Sequence, residues 1–171
     1  MKTTKDIGFP LIFLDFDGVV TSTLETPGSY INHEMKDYGI SPKCYARLVK
    51  LCKETNAKIV ITSNWRKFPD DGFWHRTKKH QVPNHLPKLR KMLGDLIWSE
   101  LPPERHCTKA ECMELWFEDH PEVDIKNLKY VIFDDDLREG FQSSRFGMHF
   151  VLTDDVGLTD EDCEKAKEIL K

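Results

Sequence analysis

Short apolar runs that close on acids or hydroxyls constrain this chain more than any other feature of its sequence. LIFLDF (11–16), KIVITS (58–63), YVIFD (130–134) and MHFVL (148–152) are too short for core helices and too continuously apolar for half-exposed strands. They read as strands buried on both faces. Helical patterns separate them. Ser41-Pro42 supplies an N-cap and a first-turn proline for a helix whose apolar positions Tyr45, Leu48, Val49 and Cys52 fall at helical spacing. Residues 86–93 read as a helix stopped by Gly94, and Leu96-Ile97-Trp98 as a short strand. Thr108-x-x-Glu111 is a capping box that opens a helix through Phe117. Thr159 caps a last helix with Cys163, Ala166, Ile169 and Leu170 on one face. Buried strands alternating with helices predict an α/β fold with a mainly parallel sheet, and 171 residues fit one domain spanning 1–171. Residues 67–85, rich in Pro, His and Lys, read as irregular.

Composition narrows the setting. No run of 18 apolar residues exists, and the start MKTTKDIGFP has no apolar stretch of the signal-peptide kind, so neither membrane insertion nor export is expected. Five cysteines, at 44, 52, 107, 112 and 163, form an odd set without CxxC, which points to a reduced, cytoplasmic chain without a structural zinc site. The net charge of −4 hides an asymmetry: residues 66–91 carry +6 and the remainder −10. A basic segment on an acidic chain suits an anionic partner, although a solvated face has the same composition. His75, His80 and His85 are read as surface residues rather than a second metal site. The four tryptophans are read as packing residues, with Trp74, near the basic stripe, a candidate to stack on a base.

The polar residues that close the strands carry the chemistry. In open α/β sheets, ligands bind at the carboxyl ends of the strands. Asp15 and Asp17 close the first run, two residues apart and hence on one side. Gly18 follows and permits close backbone approach. Thr62 and Ser63 close the second run, Asp134, Asp135 and Asp136 the YVIFD run, and Lys109 stands at the start of the capping-box helix. Converging carboxylates repel one another and raise each other's pKa. A hard divalent cation with oxygen ligands and open water positions, best met by Mg²⁺, relieves that repulsion and also suits a phosphoryl group. Turn formation and helix capping account for each acid singly, but poorly for all of them together.

DFDGVVT (15–21), VITSNWR (60–66), Lys109 and VIFDDD (131–136) resemble, in order, the four motifs of the haloacid dehalogenase (HAD) superfamily. The SNWR ending and the WF-x-x-H stretch before VIFDDD resemble a branch associated with RNA-repair proteins. The resemblance implies a Rossmann-like three-layer sandwich with the first strand central. It implies a phosphatase in which Asp15 is nucleophile and metal ligand, and Asp17 is general acid and base with its backbone carbonyl on the metal. Thr62 (or Ser63) would bind phosphoryl oxygens, Lys109 would stabilise charge, and Asp134 with Asp135 would hold Mg²⁺. Gly18, Ser63, Asn64 and Arg66 are the candidate substrate contacts. About 40 residues lie between Gly18 and the second strand, too few for a large cap domain. Residues 67–95 are read as a small basic lid or substrate-contact segment, and residues 19–31, with Pro27-Gly28 at a turn, as a flap. The open site suits a phosphorylated substrate such as a nucleic-acid end or a nucleotide. Receiver domains share the residue types, but their acidic pair precedes the phosphorylated aspartate on a later strand, whereas DxDG comes first here. A non-catalytic HAD-like phosphate-binding or regulatory protein is the alternative, and the intact acid, hydroxyl and lysine set speaks against it.

Overall fold

The structure, a computed structural model, describes residues 7–22, 40–77 and 79–171. The flap expected at 19–31 therefore lies mostly outside the described residues, as does Lys78.

Five parallel strands form the sheet, in the order β5-β2-β1-β6-β7, with β1 (Leu11–Leu14) in the middle. Its neighbours are β2 (Lys58–Ile61) and β6 (Tyr130–Asp134), and β5 (Ile97–Glu100) and β7 (Phe150–Leu152) are the edges. Alternation along the strands divides the core into two layers. Ile12, Leu14, Ile59, Ile61, Val131 and Phe133 face α1 (Pro42–Thr55), α2 (Leu86–Leu93) and α4 (Asp160–Ile169). Leu11, Phe13, Val60, Tyr130 and Ile132 face α3 (Lys109–Asp119), where Phe13 meets Trp116 edge-on at 5.4 Å. Helices on both faces make the three-layer, Rossmann-type sandwich expected from the sequence. No described helix is long and apolar enough to cross a membrane.

Several local expectations shift. The buried stripe of α1 is Cys44, Leu48, Leu51 and Cys52, while Val49 is only half-buried. Strands β1, β2 and β7 are shorter than their runs, whereas β6 spans all of YVIFD and ends on Asp134. Residues 67–85 are not irregular throughout: β3 (Phe73–His75) and β4 (His80–Val82) form an antiparallel hairpin. Gly72 opens that hairpin at φ +89°, where a Cβ would fall 1.9 Å from the Val82 carbonyl oxygen, so only glycine fits. The hairpin brings His75 and His80 into a stacked pair. Leu86, Leu89 and Leu93 of α2 are buried in the main core, so the outlying part of the 67–95 segment is the hairpin and its flanks, not the helix.

Candidate active site

The strand order reverses direction between β1 and β6, and the site sits at the carboxyl ends of those two strands. Asp15 and Thr62 each lie one residue beyond a strand yet remain tied to the ladder. Asp15 N donates to Phe133 O at 3.1 Å, and Thr62 N donates to Leu14 O at 2.8 Å. Their positions are thereby set by the sheet rather than by a loop. The chain then turns sharply at Gly18 (φ +65°), whose N–H donates to Thr21 Oγ1 at 2.8 Å. A Cβ there would lie 2.3 Å from Asp135 Oδ2, so Gly18 makes room for that carboxylate.

Lys109, the first residue of α3, is 3% exposed and sits between two carboxylates. Its Nζ lies 2.9 Å from Asp15 Oδ2 and 2.7 Å from Asp134 Oδ2. Burial works against its charge, but Asp15 and Asp134 together outweigh burial and raise its pKa. One ammonium does not neutralise the cluster. Burial and the Asp15 charge push Asp134 up to about 7 despite the Lys109 contact. The same two causes push Asp135 up to about 6. Burial, then Asp15, raise Asp17 to about 6, against a hydrogen bond donated by Trp65 Nε1 to Asp17 Oδ2 at 2.8 Å. Asp136 instead turns outward, where Arg138 pairs with it and lowers its pKa.

Oxygen atoms of Asp15, Asp134 and Asp135 lie within 4.8 Å of one another. The donors are all hard oxygens and carry more negative charge than Lys109 offsets. That set fits Mg²⁺. Thr62, at the end of the adjacent strand β2, has a buried hydroxyl with no hydrogen-bond partner. The Asp17 side chain is not part of this cluster but lines the adjoining cavity of about 460 Å³ with Asp15, Asn64, Trp65, Phe68 and Lys109.

The structure thus brings Asp15, Asp17, Thr62, Asn64, Lys109, Asp134 and Asp135 to one strand edge. Three expected substrate contacts are placed differently. Arg66 is buried, and its guanidinium donates to the carbonyls of Thr62, Ser63, Leu101 and Pro102 at 2.5–3.2 Å, so it ties loops together instead of meeting a phosphate. Gly18 commits its N–H to Thr21 and packs against Asp135. Ser63 Oγ accepts from Trp65 N and caps the short turn that follows, which leaves Thr62 as the unengaged hydroxyl. Two residues of the site escape sequence reasoning. Trp65, by sequence a packing residue, holds Asp17. Glu139 accepts from Asn64 Nδ2 at 2.6 Å and from Lys109 N at 2.8 Å, so it joins the second and third motifs. Nothing in the sequence marks Glu139, because its partners are 30 and 75 positions away. Thr21 is visible as part of DFDGVVT, but its role as partner of the Gly18 N–H is not.

Central-strand carboxylates held by a helix-borne lysine, on a Rossmann-type sheet, are the arrangement of the HAD hydrolase and phosphatase superfamily. More narrowly, the family model described as the HAD domain in Swiss Army Knife RNA repair proteins matches residues 11–163, and the chain belongs to that family. No curated protein and no solved structure gives a significant match to it.

Proposed function

We propose that this chain is a Mg²⁺-assisted phosphomonoesterase that carries the phosphoryl group on Asp15. The observation that carries the proposal is the division of labour between two carboxylates two residues apart. Asp15 is fixed by Lys109 at 2.9 Å. Asp17 stands clear of that lysine clamp, lines the open cavity and is held by the Trp65 indole. A nucleophile needs the first environment and a proton carrier the second.

Asp15, Asp134 and Asp135 would hold the cation, whose charge would offset repulsion between the nucleophile and an anionic phosphoryl group. An Asp15 oxygen attacks phosphorus as the bond to the leaving oxygen breaks, and Asp17 gives that oxygen its proton. Asp17, now a carboxylate, takes a proton from water, which attacks the aspartyl-phosphate and releases inorganic phosphate and free Asp15. Burial, the first cause of the raised Asp17 pKa, favours the protonated form that the first half needs. Lys109 holds the Asp15 carboxylate in one orientation, and Thr62 Oγ1, buried at the end of β2 with no hydrogen-bond partner of its own, would need a small opening of that strand end to donate to a phosphoryl oxygen.

The substrate class we propose is a phosphorylated nucleic-acid end. The family description, with its RNA-repair proteins, supports it, and so do the exposed Arg76, Lys79, Lys88 and Lys91 of the basic segment. The test is a panel of 3′- and 5′-phosphorylated oligonucleotides, nucleotides, sugar phosphates and phosphopeptides with Mg²⁺. Phosphate release by the parent, none by Asp15→Asn, and loss with a chelator are expected. Normal turnover by Asp15→Asn would overturn the mechanism, and activity confined to sugar phosphates would overturn the substrate class.

A further inference from the structure

The charges around the cavity restrict what accompanies the reacting phosphate. Five carboxylates line it (Asp15, Asp17, Asp135, Asp136 and Glu139), against two cations. Both cations are engaged: Lys109 with Asp15 and Asp134, and Arg138 with Asp136 at 2.8 Å. Asp15 and Asp135 belong to the proposed cation set and Asp136 is balanced by the exposed Arg138, which leaves Glu139, held only by the neutral Asn64 amide and the Lys109 N–H, as an uncompensated carboxylate among the described lining residues. That part of the lining favours a neutral group over a second phosphate, and affinity there has to come from apolar contact.

One wall supplies such contact. Phe68 lines the cavity and keeps 38% of its surface exposed. Phe73 backs it in a stacked arrangement, with centroids 4.6 Å apart and planes at 24°. Trp65 meets it edge-on at 6.1 Å. Its backbone is pinned as well: Phe68 N donates to Trp65 O at 3.1 Å, and the buried Asn84 Nδ2 donates to the carbonyls of Trp65, Phe68 and Pro69. The ring is thus pre-positioned. Trp74, the more exposed aromatic, sits between Phe73 and His75 on β3, and alternation turns it to the opposite side of the hairpin from Phe73 and the cavity.

We propose that Phe68 is the stacking platform for the terminal base of a phosphorylated single strand, and that it determines specificity by selecting a base-bearing monophosphate end over compact polyphosphates. This rests on the hydrolase reading above and deepens it. Base–aromatic stacking of this kind corresponds to about 5- to 150-fold in affinity.

The experiment compares a short phosphorylated oligonucleotide with the same strand ending in an abasic residue. Turnover is measured for the parent, Phe68→Leu, which keeps apolar bulk, and Phe68→Trp, which keeps the ring. Binding of both strands is measured separately with Asp15→Asn and with Asp15→Asn/Phe68→Leu. A preference of the parent for the base-bearing end, lost in Phe68→Leu and kept in Phe68→Trp, is expected in turnover and in binding. Turnover with no base preference overturns the platform and leaves the hydrolase reading standing. A Phe68-dependent binding preference without turnover of any ester overturns the hydrolase reading and leaves the platform standing. A phosphotyrosyl peptide turned over better than the oligonucleotide, with the same dependence on Phe68, overturns the assignment to a base. So does a nucleoside triphosphate turned over as well as the single monophosphate end.

Discussion

At Asp17, Trp65 and the neighbouring carboxylates act in opposite directions: the indole N–H favours the ionised form, while burial and Asp15 favour the protonated one. A hydrogen bond to a charged group is worth about 1.5–3 kcal/mol. Trp65→Phe keeps the ring and removes the donor. Its rate should fall about ten-fold or more on an alkyl phosphate, whose leaving oxygen needs a proton, and much less on a nitrophenyl phosphate. An equal fall on both would mean that Trp65 only packs. Lys109 poses a different problem, because its removal leaves Asp15 and Asp134 buried side by side. Deleting one partner of a buried ion pair costs about 3–5 kcal/mol. Lys109→Met should therefore lower the melting temperature markedly in chelator and abolish turnover. Added Mg²⁺ should restore part of the stability, since it replaces the missing positive charge, and none of the activity. Melting curves with and without Mg²⁺ check this.

At the scale of elements, the short turn Asn64–Lys67, the β3–β4 hairpin and the start of α2 act as one unit because Asn84 connects them. Its Nδ2 serves three carbonyls of residues 65–69, while its Oδ1 accepts from Leu86 N, the first residue of α2, at 3.0 Å. Asn84→Ala leaves the Phe68 carbonyl without its donor, at about 1–3 kcal/mol for a buried unsatisfied group, while the Trp65 and Pro69 carbonyls keep Phe68 N and Gly72 N. The expected outcome is faster amide exchange across 65–75 with β1 and β6 unchanged, and a raised KM. Unchanged exchange in 65–75 would show that the aromatic wall holds itself together. Little of this unit is legible in the sequence. The cue at Gly72 is a single residue, and β3 and β4 are three residues each, too short for alternation to register.

For the whole molecule, the excess of carboxylates makes stability, proton binding and metal binding one linked problem. Asp17, Asp134 and Asp135 rise from their ordinary 3.8 to about 6, 7 and 6. The folded chain then binds more protons than the unfolded one between roughly pH 4 and 7, so in chelator these groups make stability fall as pH rises through that window. Mg²⁺ competes with those protons, and its stabilising effect should be larger at pH 8 than at pH 5. Melting temperatures at the two pH values, with and without Mg²⁺, test the sign, and Asp135→Asn should shrink the gain. Long-range charge acts on encounter rather than on stability. Of the basic segment, Arg66 is buried, Arg90 is paired with Asp70 and Glu100, and Lys67 donates to the Cys107 carbonyl. Neutralising the exposed Lys79, Lys88 and Lys91 should raise KM for an oligonucleotide and flatten its salt dependence, by about 0.7 in logarithmic slope for each phosphate that the variant no longer neutralises. A small phosphate ester should show no such change in salt dependence.

The sequence by itself determined the layered α/β architecture and the strand-end acids, because burial on two faces and helix capping are written in local residue order, while the central place of β1 followed from the resemblance to the HAD motifs. The set Asp15, Asp17, Thr62, Lys109, Asp134 and Asp135 was legible for the same reason: each residue ends or begins an element, and the ends of parallel strands converge. Only the tertiary structure decided which polar groups are already engaged within the protein. The Arg66 guanidinium and the Gly18 N–H donate to backbone and side-chain partners, and the Ser63 hydroxyl accepts from Trp65 N. Trp65, Phe68 and Glu139 acquire their places from contacts with Asp17, Phe73, Asn64 and Lys109, across as many as 75 positions of chain. Hydrogen-bond partners at that separation follow from how loops pack on the sheet edge, and local sequence order does not encode that packing.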